Sequence, residues 1–147
     1  MRKRSKTLLT RNNTGFLLAK AMQNWNEQLY EGFCEHGYRQ VRPSYGSILI
    51  PLFEKDGLRI GELAKRSKLS KQTMTTMVRL VERDGLVRRR PDVGDGRAIR
   101  VFLTRTAQLF RPIADTVLAE VEAKAQKAGP AGELKVVRDW LKRFAAQ

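Results

Sequence analysis

Apolar positions along the chain fall into a series of short periodic runs. From Thr14 to Glu35, Leu18, Met22, Trp25, Leu29 and Phe33 recur at spacings of four, three, four and four, which is one face of an amphipathic helix. His36-Gly37 supplies its stop. A second helix is expected to open near Pro43-Ser44 with Ile48, Leu49, Leu52 and Phe53 facing inward. Pro51 predicts a kink or a tight last turn there. Two short helices follow the Asp56-Gly57 turn, over 60–67 and 71–83, the second behind an N-cap at Ser70. In that second helix Met74, Met77, Val78 and Val81 step by i, i+3, i+4, i+7 and form an inward stripe. Gln72, Thr76, Arg79 and Arg83 fall on the opposite face, flanked by Lys71, Thr73 and Thr75.

Asp84-Gly85 ends that helix, and the period changes from helix to strand. Two strands are expected over 86–90 and 98–103. Between them Pro91-Asp-Val-Gly-Asp-Gly-Arg97 holds the turn residues of a hairpin whose flanks are basic: Arg88, Arg89, Arg90, Arg97 and Arg100. Thr104 reads as the N-cap of a long helix over 105–128, with Leu109, Ile113, Val117 and Val121 on one face and a bend at Pro112. After Gly129-Pro130 a last helix carries Leu134, Val137, Leu141 and Phe144 at spacings of three, four and three. The predicted fold is mainly α with a small β-wing: a winged helix-turn-helix plus terminal dimerisation helices. Residues 1–13 form a basic flexible arm, 14–40 and 105–147 the helical dimerisation region, and 41–104 the winged helix-turn-helix.

Charge sharpens this picture. The 147 residues carry 29 basic and 15 acidic side chains, a formal net charge of +14. Residues 1–13 hold five basic and no acidic groups, and residues 59–105 hold 13 basic and 5 acidic groups. The excess is therefore localised on the arm and the winged segment, which suits a polyanionic partner. No apolar run approaches a membrane span of roughly 18–20 residues. A single cysteine, Cys34, excludes an internal disulfide framework and fits a cytoplasmic protein.

The order helix, helix, basic hairpin gives each part a task on double-stranded DNA. The major groove admits one α-helix and displays a donor and acceptor code. Gln72 suits adenine, Arg79 suits guanine, and the threonine methyl groups suit the thymine methyl. Backbone N–H groups at Ser70 and Lys71 suit a phosphate, as do Lys65, Arg66 and Lys68. Arg97 at the wing tip can reach a narrow minor groove. The expected DNA-binding set is Ser70, Lys71, Gln72, Thr73, Thr75, Thr76, Arg79, Arg83, Arg88, Arg90, Asp95 and Arg97.

Several runs resemble the MarR family of bacterial regulators. They are Ile60-Gly-Glu-Leu-Ala-Lys-Arg-Ser-Lys-Leu-Ser70 with the following Lys-Gln-Thr73, Val81-Glu-Arg-Asp-Gly-Leu-Val-Arg-Arg89, Asp95-Gly-Arg97 and Val101-Phe-Leu-Thr104. The resemblance implies a homodimer joined through its terminal helices, with each subunit placing one winged helix on one half-site. It also implies that Asp95 holds the wing, that Arg97 contacts the minor groove, and that a small aromatic or phenolic effector enters a cleft beside the dimer helices. Trp25, Tyr30, His36, Tyr38, Arg39 and Tyr45 fall in the region of such a cleft. Two positions depart from the family pattern: Lys68 stands where the helix-turn-helix usually has Gly, and Ala107 where Gly often follows the second strand.

Other chemistry finds little support. The one histidine has no Ser or Asp partner motif, and no glycine loop or paired carboxylates point to an enzyme. No cofactor is expected. Cys34-Glu35-His36 is too small a donor set for a metal. Cys34 has no Lys or Arg flanking it and reads as structural or incidental rather than as a redox switch. The main rival is a non-specific or architectural nucleic-acid binder, whose contact face would favour Lys and Arg throughout instead of Gln, Thr and Arg.

Overall fold

A computed structural model describes residues 7–147. Residues 1–6 of the expected basic arm lie outside the described residues. Helix α1 (Thr14–Glu35) starts where the Asn13 side chain accepts from Phe16 N at 2.9 Å. A 3₁₀ turn (Pro43–Tyr45) leads into α2 (Gly46–Glu54), so the expected second helix opens in two stages. Pro43 fixes φ at the start of that turn, and Pro51 remains inside α2, in the last turn before Lys55. Strand β1 (Leu58–Arg59), α3 (Ile60–Arg66), α4 (Lys71–Arg83), β2 (Val87–Pro91), β3 (Ile99–Leu103), α5 (Arg105–Gln126) and α6 (Glu133–Ala145) follow.

The sheet is antiparallel with order β1-β3-β2. Leu58 pairs with Val101 and Arg59 with Arg100. Two residues are too few to show a period-two pattern, so β1 carries no sequence signal of its own.

One apolar core runs through the molecule. Ile48, Leu49 and Leu52 of α2 meet Leu63 of α3, Met74, Val78 and Val81 of α4, and Leu86, Val87 and Val101 of the hairpin. It continues to Leu29 and Phe33 of α1 and to Ala107, Phe110, Val117 and Val121 of α5. Phe33 and Phe110 meet edge to face at 4.9 Å between centroids. Gly32 lets α1 and α5 close together: a Cβ there would lie 2.5 Å from Val117 Cγ1.

Two expected apolar faces are only partly covered. On α5 Leu109 is exposed and Phe110 takes the inward place. At 100° per residue, Leu109 lies about 80° from Val117, whereas Phe110 lies only about 20° away. On α1 the stripe is buried at Leu29 and Phe33 but open at Met22, beside exposed Phe16 and Leu17. Helix α6 buries no residue, and Val136, Val137, Trp140, Leu141 and Phe144 are exposed.

Candidate nucleic-acid interface

The turn between α3 and α4 sets how α4 is presented. Leu69 N donates to Ala64 O at 3.0 Å and Lys68 N to Lys65 O at 3.2 Å, which satisfies the last carbonyls of α3 in a Schellman arrangement. Lys68 takes the left-handed position with φ 53°, where the family pattern places glycine. One residue past Leu69, Ser70 Oγ accepts from Thr73 N at 3.0 Å and donates to Thr73 Oγ1 at 2.8 Å. Ser70 and Thr73 thus cap the helix.

Along α4 the inward stripe and the outward face separate as the spacing requires. Met74, Val78 and Val81 are fully buried, while Lys71, Gln72, Thr73, Thr76, Arg79 and Arg83 are exposed and Thr75 is half-buried. Thr75 and Thr76 turn their hydroxyls back to the Lys71 and Gln72 carbonyls at 2.8 and 3.2 Å. Among the described residues, the side chains of Gln72 and Arg79 enter no intramolecular hydrogen bond.

Arg83 is differently placed. Its Nε and Nη2 lie 3.2 and 3.4 Å from Asp84, which also accepts the hydroxyl of buried Tyr45. The Tyr45 hydroxyl, followed by Arg83, holds the Asp84 carboxyl below its ordinary range. Burial first, and then the bonded Asp84, pushes the Tyr45 hydroxyl up. These contacts tie the end of α4 to the 3₁₀ turn.

The hairpin is fastened by residues outside the expected DNA-binding set. Glu82 of α4 accepts Arg89 N at 2.8 Å and Arg89 Nε at 3.0 Å. The backbone N–H is the larger cause holding its carboxyl low, ahead of the guanidinium. Asp92 accepts Gly94 N at 2.8 Å, Arg59 Nε at 2.8 Å and Arg100 Nε at 2.9 Å. Those three contacts, led by the Gly94 N–H, hold its carboxyl low. The resemblance assigns a wing-holding role to Asp95, whereas the contacts that tie the wing to neighbouring strands converge on Asp92. Asp95 is exposed; its carboxylate accepts Arg97 N at 3.1 Å and its carbonyl accepts Ala98 N at 3.0 Å, tightening the tip turn. Asp92 acts because two arginines from neighbouring strands converge on it. The Asp92-Val-Gly94 spacing of an Asx turn was the available signal.

Lys71, Asp95 and Arg97 line one concavity of about 390 Å³ with Ile60 and Glu62, so the start of α4 and the wing tip share a surface. Arg88 and Arg90 are not part of it. Val87 is buried and Arg89 bonds α4, so strand alternation turns Arg88 and Arg90 to the other face. Lys65 and Lys68 are exposed, and Arg66 pairs with Glu62 at 3.0 Å.

A cavity beside α1 has a lining other than the one expected for an effector cleft. A cavity of about 360 Å³ lies between α1, α2 and α5, walled by Leu29, Phe33, Leu49, Phe53, Phe110 and Leu118, with Arg42 and Arg111 also reaching it. None of the six residues expected to line such a cleft does so. Tyr45 is buried and bonded to Asp84. Tyr38 packs on Phe110 at 5.1 Å, and Trp25 packs half-buried against the core. Tyr30 donates to Arg39 O at 2.9 Å, lies under Arg42 at 4.6 Å, and borders a separate shallow depression. The exposed His36 ring bonds Gly32 O at 2.8 Å, and Arg39 is exposed. The polar ends of Tyr30, His36 and Tyr45 are engaged within the chain, which spacing along the chain does not reveal. Cys34 is half-buried at the end of α1, and no group of three metal-ligating side chains occurs among the described residues. No described helix is long and apolar enough to cross a membrane.

Comparison with known proteins agrees with this geometry. The sequence model of the MarR family matches residues 43–99. The HTH-type transcriptional regulator TtmR of Methylorubrum extorquens (strain PA1) is 37% identical over 57 residues. That stretch is 39% of this chain and spans 29% of the length of TtmR. Among solved structures, a probable transcriptional regulator from Pseudomonas aeruginosa superposes with a TM-score of 0.77 at 22% identity, covering 90% of this chain and 97% of that one. The PcaV transcriptional regulator from Streptomyces coelicolor, in complex with its natural ligand, superposes with a TM-score of 0.76 at 20% identity, covering 97% and 96%. These identities bear on the fold alone.

Proposed function

We propose that the chain, which matches the MarR family model over residues 43–99, is a sequence-specific DNA-binding transcriptional regulator of that family that acts as a homodimer on a near-palindromic operator. The observation that carries the proposal is the outward face of α4. Among the described residues, Gln72 and Arg79 stand exposed and without a side-chain hydrogen bond on the helix whose first residue, Lys71, shares a concavity with Arg97. Gln and Arg pair bidentately with adenine and guanine edges, whereas a binder of backbone alone needs only positive charge. In this reading Ser70, Lys71 and Thr73 meet phosphates at the start of α4. Arg97 enters the minor groove and Asp95 shapes the tip that carries it. The terminal segments 14–40 and 105–147 dimerise, and 41–104 reads DNA.

The exposed apolar residues of α1 and α6 support the homodimer. A 13-residue helix that buries nothing within its own chain leaves an apolar patch of the kind that marks a protein contact. Two-fold symmetry then spaces the half-sites about one helical turn apart. Such a dimer on a promoter blocks polymerase without further machinery, so the regulator is a repressor. The cavity between α1, α2 and α5 has the size and apolar walls of a small-molecule site. Its charged rim is balanced, Arg42 and Arg111 against Glu54 and Asp115, so the ligand class it suits is a small aromatic molecule, whose binding releases the DNA.

The test is a titration onto the DNA upstream of the protein's own coding sequence and onto a scrambled duplex, at about 50 and about 200 mM salt. A preference of about 10³-fold or more, with one dimer per site, is expected. Equal binding to both duplexes, collapsing steeply with salt, would instead make the protein an architectural binder.

A further inference from the structure

The face of β2 turned away from α4 carries Arg88 and Arg90. Across the ladder it continues with Phe102, opposite Arg88, and with Arg100, opposite Arg90. Arg105, the first residue of α5, comes up beside them. Arg88, Arg90 and Arg105 line one cleft of about 450 Å³, whose other walls include Phe102, Leu103 and Asp56.

Charge in this cleft is unbalanced. Among the described residues Arg59, Arg66, Arg83, Arg89, Arg100 and Arg138 each pair with a carboxylate, and Arg88, Arg90 and Arg105 do not. The acidic side chain present, Asp56, turns its Oδ1 to the backbone N–H groups of Gly57 and Leu103. Three exposed guanidinium groups beside one committed carboxylate leave the cleft with a positive excess. Their planar forks match phosphate oxygens in particular.

We propose that this cleft binds phosphate groups, supplied by the backbone of DNA that continues past the wing. The tip loop begins after Pro91, and Arg88 stands three residues behind it, about 10 Å of strand. A duplex lying straight on α4 and Arg97 ends its contact at the tip. DNA that bends toward the protein beyond that point passes over the outward face of the sheet. The inference rests on the DNA-binding reading above and adds contacts outside the half-site.

The test compares an operator duplex cut at the wing contact with the same duplex extended by about one helical turn at each end. Both are titrated with the full chain and with its Arg88→Gln, Arg90→Gln, Arg105→Gln triple variant. Extension is expected to tighten wild-type binding roughly tenfold and to steepen its salt dependence by about 0.9 in slope per phosphate engaged. The variant should lose both gains, judged as the ratio of its own affinities for the long and the short duplex. A parallel arm measures thermal unfolding with tripolyphosphate and no DNA. If extension changes nothing, but tripolyphosphate raises the unfolding midpoint of the wild type and not of the variant, the phosphate source is a free compound and the site stands. The proposal is overturned if the variant keeps the gain from extension, or if tripolyphosphate stabilises both proteins alike or neither while extension has no effect. Failure of the wild type to prefer its operator would sink the regulator reading, and the tripolyphosphate arm would still decide this one.

Discussion

Replacing Lys68 by glycine should stabilise the protein, although it removes a side chain and adds nothing. Three helices end in the same hydrogen-bonded arrangement. At α1, Tyr38 N donates to Phe33 O at 2.8 Å and Gly37 N to Cys34 O at 3.0 Å. At α4, Leu86 N donates to Val81 O at 3.1 Å and Gly85 N to Glu82 O at 2.9 Å. At α3 the corresponding bonds come from Leu69 and Lys68. The left-handed residue is glycine in the first two, with φ 86° and 83°, and lysine in the third, with φ 53°. An L-residue held there costs roughly 1–2 kcal/mol. Glycine gives back roughly 0.5–1 kcal/mol of that through the freedom of the unfolded chain. The net gain for Lys68→Gly is therefore about 0.5–1 kcal/mol, or about 1–4 °C in the midpoint of a chain of this size.

Urea unfolding at fixed protein concentration measures the change, with an unaltered m-value as the check that only stability moved. Lys68→Ala separates conformation from charge, because it removes the ammonium and keeps the left-handed strain. It should fall close to the wild type. Gly85→Ala runs the comparison in reverse. A Cβ there meets nothing within 4 Å, so its loss of about 1 kcal/mol would come from φ alone. If Lys68→Gly and Lys68→Ala stabilise equally, relief of charge repulsion is the cause and backbone strain is not.

Lys68 also shows why some of this molecule is legible in its sequence. The winged segment follows local rules: Ser70 is an N-cap, Asp84-Gly85 a stop, and Met74, Val78 and Val81 an inward stripe, and each holds in the structure. The outward placement of Gln72, Thr76 and Arg79 follows from the same period. Legibility fails where a role depends on distant partners. Asp92 is a wing anchor because Arg59 and Arg100 reach it from two other strands, and β1 exists because β3 lies beside it. The cavity lining fails for a related reason. The hydroxyls of Tyr30 and Tyr45 are claimed by Arg39 O and Asp84, and the Tyr38 ring packs on Phe110. Leu29, Leu49 and Leu118 look like ordinary core until three helices leave space between them.

The remaining tests divide between reading and folding. Arg79→Ala should cost about 1–3 kcal/mol on the preferred operator and relax base preference at one position; equal losses on operator and scrambled duplexes in anisotropy titrations would remove Arg79 from base reading. Arg97→Ala should weaken binding without altering major-groove preference, and an unchanged dissociation constant would take the wing tip off the DNA. Gly32→Ala forces a methyl to within 2.5 Å of Val117 Cγ1, so it should lower stability by about 1–3 kcal/mol in urea, and a neutral result would mean that α1 and α5 separate freely. Acid should unfold the protein for a reason that can be assigned. Glu82, Asp84 and Asp92 all have folded pKa values below their ordinary ones, 4.5 for Glu82 and 3.8 for the two aspartates. The unfolded chain therefore binds their protons first. Their stabilisation is complete above those ordinary values and drains away as the pH falls through the lower folded ones. Tyr45 has the opposite sign. Its pKa is raised above 10.0, so its contribution is present below that pH and lost as the hydroxyl ionises in the folded protein. Tyr45→Phe removes the hydroxyl and with it one cause of the low Asp84 pKa. The acid limb of the stability curve should then become shallower, and an unchanged limb would show that the Tyr45–Asp84 contact does not hold the end of α4.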